Sequence, residues 1–88
     1  MEANEITYTG RAMDLIEAGA YDRAIADLSE ALRINDKYFF GYLRRGDAYL
    51  KKREFTKAES DYRKAVEIRP ADKDAQDGAR NAQIRNAN

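Results

Sequence analysis

The sequence predicts an all-α fold in which two-helix repeats stack side by side, with about five helices in total. Residues 5–38 align without gaps with residues 39–72, and both segments carry apolar residues at the three- and four-residue steps of an α-helix. A period of this length is typical of stacked repeats, in which each unit buries its apolar face against its neighbour. The positions that are identical in the two copies are Tyr8/Tyr42, Arg11/Arg45, Ala24/Ala58, Asp27/Asp61, Ala31/Ala65 and Ile34/Ile68.

The first copy predicts a helix over about residues 5–18 and a second helix from Asp22 to about Ile34. Gly19 lies between them and marks the break, because glycine readily adopts the backbone conformations that end a helix. In the second copy the apolar face predicts a helix that begins near Phe39 and is followed by the cations of residues 51–53, which suit a helix C-terminus.

The next helix has a predicted start and a predicted end. Thr56 with Glu59 three residues later matches a capping box, which predicts that a helix begins there. The only proline, Pro70, predicts that this helix ends just before it, since the proline ring clashes with a continuing turn.

A third amphipathic stretch follows, from Asp72 as the expected N-cap to about Arg85. Eighty-eight residues make one small domain. We therefore expect a single domain over residues 1–88, made of a first repeat, a second repeat, and a capping helix with a tail, at residues 5–38, 39–72 and 73–88.

Small residues within the helices predict where helices approach closely. Gly46 and its counterpart Ala12 lie in mid-helix, where glycine costs about 1 kcal/mol relative to alanine, so close packing of another helix is the expected compensation. The tyrosine and phenylalanine side chains are expected to fill the gaps between helices rather than to form a cofactor site.

Two ion pairs are predicted because both partners repeat at a fixed separation. Each copy has an arginine in its first helix and an aspartate sixteen residues later in its second, which predicts the pairs Arg11–Asp27 and Arg45–Asp61. Arginine suits such a pair, since its planar guanidinium can bond a carboxylate with two hydrogen bonds while its stem packs.

The composition argues against catalysis and against a membrane-spanning protein. The chain has no histidine and no cysteine, so serine–histidine, cysteine–histidine and zinc–histidine arrangements cannot form. Its five glycines are scattered singly, without a phosphate-binding loop. No apolar run approaches the ~20 residues of a membrane span. We expect no enzyme activity, no cofactor, no metal, no membrane association and a cytoplasmic location.

Charge is balanced in total but not along the chain. Residues 1–36 carry eight acids and three bases, whereas residues 37–69 carry ten bases and five acids. The basic segment 44–64 permits a nucleic-acid patch, although the neutral total and the interspersed acids argue against it. Two other interpretations stay open, namely solvated helix faces and self-association of copies, acidic end on basic end. With only two full repeats, self-association into a homo-oligomer would also cover an exposed end of the stack.

These residues resemble the tetratricopeptide repeat, a two-helix unit with aromatic, small and aromatic residues in its first helix and alanine, aromatic, alanine and proline in its second. The family's tryptophan is absent from both copies, and Asp36 stands in the first copy where the proline would be. The resemblance implies a right-handed solenoid of antiparallel helix pairs. The residues that match it are Tyr42, Gly46, Tyr49, Ala58, Tyr62, Ala65 and Pro70 in the second copy, and Tyr8, Ala12, Leu15, Ala24, Leu28 and Ala31 in the first.

The resemblance also implies a non-catalytic module that binds a protein or peptide in a concave groove lined by the first helices of successive units. Helical spacing adds that Phe40, Leu43, Arg44 and Asp47 form one strip, outside the core positions of their helix. Replacing Leu43 and Arg44 together is accordingly expected to remove binding without lowering the melting temperature. The predicted groove residues are Thr9, Met13, Phe40, Leu43, Arg44, Asp47 and Lys51, with Ile6 and Gly10 beside them.

One subclass of the family grips the C-terminal carboxylate of a chaperone with lysine, asparagine and arginine side chains. Five positions of this sequence correspond to those clamp residues, and only one of them is a cation, so we expect a module that is not a chaperone clamp. The five corresponding residues are Thr9, Met13, Arg44, Asp74 and Gly78.

Overall fold

The structure is a computed structural model that describes residues 4–87, and within that range it contains five α-helices and no strand. The predicted all-α fold and the helix count are confirmed. The helices are α1 (Glu5–Glu17), α2 (Tyr21–Ile34), α3 (Phe39–Lys51), α4 (Phe55–Ile68) and α5 (Lys73–Asn86).

Side-chain caps fix the start of the first and last helices. The Asn4 side chain accepts a hydrogen bond from the backbone N–H of Thr7 at 3.0 Å, and Asp72 accepts one from Ala75 at the same distance. Each bond satisfies an N–H that has no partner within its helix. The N-cap predicted at Asp72 is therefore confirmed, and α4 ends at Ile68, two residues before Pro70, as predicted.

The predicted capping box at Thr56 is wrong. Helix α4 begins one residue earlier with Glu54 as its N-cap, and no side chain caps its first N–H groups. Thr56 lies inside the first turn, where its hydroxyl donates to Oδ1 of Asn86 at 2.9 Å. The Asn86 amide in turn donates to Glu59 at 3.2 Å, so both residues of the motif tie the end of α5 to the start of α4.

Helices α1 and α3 each end in a turn of the same type, although the two turns contain different residues. In each, two consecutive backbone N–H groups bond back across the last helical turn, and the first of these two residues adopts a left-handed conformation. That residue is Gly19 (φ 80°) after α1 and Arg53 (φ 63°) after α3. A non-glycine residue is unfavourable there by about 1–2 kcal/mol, so Arg53 carries a backbone cost that its counterpart avoids.

The stacking order makes one side of the molecule concave. Consecutive helices pack against each other, and α3 also contacts both α1 and α5. Within residues 4–87 there is no corresponding contact between α2 and α4. The first helices of the units therefore lie closer together than the second helices, which bends the stack toward the α1, α3 and α5 side.

Two buried clusters form the core, one for each helix pair. Ala12, Ala24 and Leu28 join α1 to α2. The larger cluster continues from α3 through α4 to α5, and its alanines let the helices approach closely while two aromatic rings and a leucine fill the gaps. Its members are Phe39, Leu43, Ala58, Tyr62, Ala65, Ala75 and Ala82.

The Tyr62 ring is held between two glycines on opposite sides. A Cβ atom built on Gly46 of α3 would lie 2.9 Å from the ring, and one built on Gly78 of α5 would lie 2.5 Å from it. These glycines therefore provide the space that the ring occupies, which confirms the close approach predicted at Gly46. Leu28, the counterpart of Tyr62 in the first repeat, is smaller, and Arg44 rather than a glycine stands at the position equivalent to Gly78.

We expect Gly78→Ala to destabilise the chain by about 1–3 kcal/mol, because the added methyl overpacks a ring that cannot move away from it. Gly10→Ala is the matched control, since Gly10 is also helical and has no atom within 4 Å of its would-be Cβ. The control should stabilise by about 0.5–1 kcal/mol through helix propensity. Urea unfolding of both variants measures the two effects, and changes of the same sign would contradict this packing.

Both predicted ion pairs are confirmed, and each uses two hydrogen bonds. Arg11 donates to Asp27 at 2.7 and 2.8 Å, and Arg45 donates to Asp61 at 2.8 Å through both nitrogens. The hydrogen bond and charge of Arg11 lower the pKa of Asp27. Arg45 also donates to Ser29 of α2 at 3.1 Å, so the second pair joins three helices.

No helix within the described residues has the length and apolar character that crossing a membrane requires.

Candidate peptide-binding groove

The concave side carries a row of adjoining pockets between α1, α3 and α5. The pocket between α1 and α3 encloses about 270 Å³ and is lined mainly by apolar atoms, because Ile6 and Met13 of α1 face Phe40 of α3. Both α1 residues are unusually open for large apolar side chains, with 66% of Ile6 and 43% of Met13 exposed. The structure thus brings four predicted groove residues to one pocket, namely Thr9, Met13, Phe40 and Arg44.

Aromatic packing holds one wall of this α1/α3 pocket in place. The Phe40 ring meets the rings of Tyr38 and Phe39 edge to face at 6.0 and 5.1 Å between centroids. The Arg69 guanidinium lies 4.9 Å from the Phe40 centroid and 4.4 Å from that of Phe39. Such contacts fix the ring and leave one face of Phe40 toward the pocket.

The pocket between α3 and α5 encloses about 410 Å³ and has a mixed polar and apolar lining. Arg44 and Asp47 of α3 line it opposite Asp74, Asp77 and Asn81 of α5, with Tyr62 at its base. Sequence reasoning placed Asp47 in the groove but not Asp77 or Asn81. If the 34-residue alignment is continued into residues 73–88, Asn81 aligns with Asp47. This equivalence could have indicated that Asn81 lies in the groove.

A hydrogen-bonded network links the two pockets. Nη1 of Arg44 donates to one oxygen of Asp47 at 3.2 Å, and the Tyr62 hydroxyl donates to the other at 2.5 Å. Burial is the main cause that raises the pKa of Tyr62 well above its ordinary value, and the Asp47 carboxylate raises it further. The phenol therefore remains protonated and acts as a donor. Nε of Arg44 is buried without a partner among the described residues.

Leu43 does not lie free on the strip that the sequence predicted. It is 3% exposed and belongs to the core cluster of α3, α4 and α5, with only its edge in the α3/α5 pocket. The expectation that Leu43 can be truncated without loss of stability is therefore wrong. Thr9 is also buried, and its hydroxyl donates to the Glu5 carbonyl at 2.7 Å, so it forms a wall of the pocket rather than a free donor.

Lys51 lies in a separate pocket at the far edge of the groove. That pocket encloses about 380 Å³ and is lined by Leu50, Lys51 and Arg53 together with Asn81 and Arg85 of α5. Sequence reasoning did not place Arg53 or Arg85 in the groove. The 34-residue spacing from Lys51 to Arg85 was a signal for the second of these.

The residues at the clamp positions offer one cation, and it is already engaged. Arg44 pairs with Asp47, whereas α5 contributes Asp74 and Gly78 where that subclass has donors. The α3/α5 pocket therefore carries more acids than bases, which disfavours a carboxylate at this place.

The chain is similar to known proteins both in sequence and in structure. Residues 40–72 match the family model described as tetratricopeptide repeat. Human serine/threonine-protein phosphatase 5 is 33% identical over 73 residues, which are 83% of this chain and 15% of the phosphatase. Heat shock protein STI1 of Saccharomyces cerevisiae is 32% identical over 75 residues, which are 85% of this chain and 13% of that protein.

A solved structure agrees with this chain over nearly its whole length. The first TPR of Spaghetti (RPAP3), bound to the HSP90 peptide SRMEEVD, superimposes with a TM-score of 0.93 at 26% identity. The match covers 97% of this chain and 68% of that one. With two tandem helix pairs at a 34-residue period and the family's packing residues in the core, the chain belongs to the tetratricopeptide-repeat family.

Proposed function

We propose that this chain binds a segment of a partner protein along α1, α3 and α5, with one bulky apolar side chain of that segment seated in the α1/α3 pocket. The observation that carries this proposal is the pairing of Ile6 and Met13, exposed and apolar, with Phe40 across a concave pocket. Apolar side chains that line a concavity and stay open to water mark binding sites more often than scattered ones do.

Structural similarity supports the binding of a peptide segment. The first TPR of Spaghetti (RPAP3) is bound to an HSP90 peptide, and this chain spans about two thirds of that domain. The residues in the groove nevertheless differ from those that hold a chaperone carboxylate. The proposed partner segment is therefore recognised first by an apolar anchor, while the Arg44–Asp47 pair presents one charge of each sign beside it.

We also propose that the role is non-catalytic and cytoplasmic. The chain has no histidine or cysteine. In the groove Asp47 is held by Arg44 and by Tyr62, a phenol whose raised pKa keeps it protonated, so these groups support the structure rather than proton transfer. The chain spans 13–15% of the curated relatives named above, and their activities are not assigned to it.

The alternative of nucleic-acid binding through residues 44–64 receives little support from the side-chain geometry. Most of the cations in this segment form ion pairs, which reduces the positive potential that phosphate binding requires. The paired cations are Arg44, Arg45, Lys52, Lys57 and Arg63. Self-association stays a prediction of the sequence, and light scattering at rising protein concentration tests it.

The groove proposal predicts that Met13→Asp weakens the binding of peptides selected on an array by at least tenfold, because it removes an apolar wall of the pocket and puts a hydrated carboxylate in its place. Ile34→Asp is the matched control, since Ile34 is 40% exposed at the end of α2 and does not line the pocket. Fluorescence anisotropy with the selected peptides measures both. Binding that survives Met13→Asp, or that falls equally with Ile34→Asp, would contradict the assignment.

A further inference from the structure

A basic pocket lies at the C-terminal edge of the groove, between α3 and α5. Lys51, Arg53 and Arg85 line it with Leu50 and Asn81, and no acidic residue of the described part of the chain lines it. Three cations at one site repel each other and raise the free energy of the folded chain. Such an arrangement calls for a compensating anion.

The compensating anion is not supplied by the described part of the chain. Neighbouring cations pair with carboxylates: Lys52 lies 2.5 Å from Asp22 and 3.1 Å from Glu54. Between residues 4 and 87 no carboxylate lies within ion-pair distance of Lys51, Arg53 or Arg85. Helix dipoles favour cations in the last turns of α3 and α5, which accounts for Lys51 and Arg85 but not for Arg53.

Arg53 occupies its position against its backbone preference. It takes the left-handed conformation (φ 63°) that glycine adopts at the equivalent position, Gly19, in the first repeat. A residue held in an unfavourable conformation is often retained for function. Here the effect of the arginine is to add a third cation to the pocket.

The pocket is also preorganised to donate hydrogen bonds. Two guanidinium groups lie against the Phe55 ring. The central carbon of the Arg53 guanidinium is 5.6 Å from the ring centroid, and that of Arg85 is 5.7 Å from it. Nε of Arg85 donates to Oδ1 of Asn81 at 3.1 Å. This bond engages the only side-chain oxygen that the described residues contribute to the pocket lining. The other nitrogens are donors, as an anion requires.

We propose that this basic pocket binds a carboxylate of an acidic side chain in the same partner segment whose apolar side chain occupies the α1/α3 pocket. The proposal rests on the proposed function. The basic pocket shares Leu50 and Asn81 with the α3/α5 pocket, so one extended segment can pass through both. Leu50 provides apolar surface for the methylene stem of a glutamate. The negative charges of Asp74 and Asp77 disfavour a second acidic side chain in the α3/α5 pocket.

The test uses the whole chain and a blocked tetraglutamate peptide, acetylated and amidated so that only side chains are charged. We expect it to shift the backbone amide resonances of residues 51–55 and 81–86. Arg53→Gly is expected to weaken binding about fivefold and to raise the melting temperature, since it removes the cation and the strained backbone together. Arg53→Lys should retain most of the affinity, and Lys64→Met, which removes an exposed cation outside the pocket, should leave it unchanged.

Three results would overturn the proposal. The first is equal binding by Arg53→Gly and the parent chain. The second is equally strong binding of a blocked tetralysine peptide. The third is displacement of the tetraglutamate peptide by inorganic phosphate at concentrations as low as those of the peptide, which would indicate a site for small anions. Met13→Asp should not affect tetraglutamate binding. The tetraglutamate experiment therefore tests the basic pocket alone, and the Met13→Asp experiment with array-selected peptides tests the α1/α3 pocket alone.

Discussion

Replacing Tyr62 by alanine is expected to lower the free energy of unfolding by about 3–5 kcal/mol, the range for removing a large ring from a packed core. Tyr62 is 1% exposed and lies between Gly46 of α3 and Gly78 of α5. The two glycines cannot fill the space that the ring leaves. Because the ring joins α3, α4 and α5, its loss weakens the second repeat and the capping helix at once.

Tyr62→Phe separates the ring from its hydroxyl. This variant keeps the ring but removes the hydrogen bond to Asp47, and it should cost about 1 kcal/mol. Urea unfolding monitored by circular dichroism at 222 nm measures both variants. If Tyr62→Ala costs no more than Tyr62→Phe, the ring does not act as the packing element that joins the last three helices.

The sequence predicted the helices well because the signals that set their periodicity and their ends are local. Periodicity, the break at Gly19, the proline at Pro70 and the N-cap at Asp72 are local signals, and the structure confirms each of them. The Arg–Asp pairs were also predictable, since two partners that recur at the same separation indicate a contact. The capping-box pattern at Thr56 is equally local, yet a tertiary contact with Asn86 takes its hydroxyl instead.

The groove was only partly predictable because its residues are distant in sequence. Helical spacing assigns a residue to a face, but it does not show how far a neighbouring helix covers that face. Leu43 illustrates this, since α4 and α5 bury a side chain that α3 alone would expose. The basic pocket depends on α5 and on the turn after α3. The repeat relates Lys51 to Arg85, but no repeated pattern points to Arg53, which occupies a position that glycine favours.

The second large effect is expected from Asp61→Ala, which should destabilise the chain by about 3 kcal/mol because it leaves a largely buried guanidinium without its carboxylate. The Asp61 side chain is 6% exposed and that of Arg45 is 22% exposed, and the raised pKa of Arg45, due first to its hydrogen bonds with Asp61, keeps the group charged. Ser29 contributes one hydrogen bond to Arg45 but no charge, so it cannot replace the carboxylate.

Asp27→Ala is the matched control, since the repeat places the same pair at the same helical positions and the change in helix propensity cancels. Arg11 is 60% exposed, so water solvates it once Asp27 is gone, and the loss should be a small fraction of that for Asp61→Ala. Because the pKa of Asp27 is lowered in the folded chain, its contribution is present above the unfolded value of about 4 and disappears as the pH falls through the folded value.

A double-mutant cycle then shows whether the cost of Asp61→Ala comes from the unpaired charge. Arg45→Ala removes the guanidinium, so the double variant should lose less stability than the two single losses added together, by about 1–3 kcal/mol. Urea unfolding at neutral pH measures all four proteins of the cycle. Additive losses would mean that Arg45 and Asp61 stabilise the fold separately, and that this pair does not act as a buried ionic link between the two helices of the second repeat.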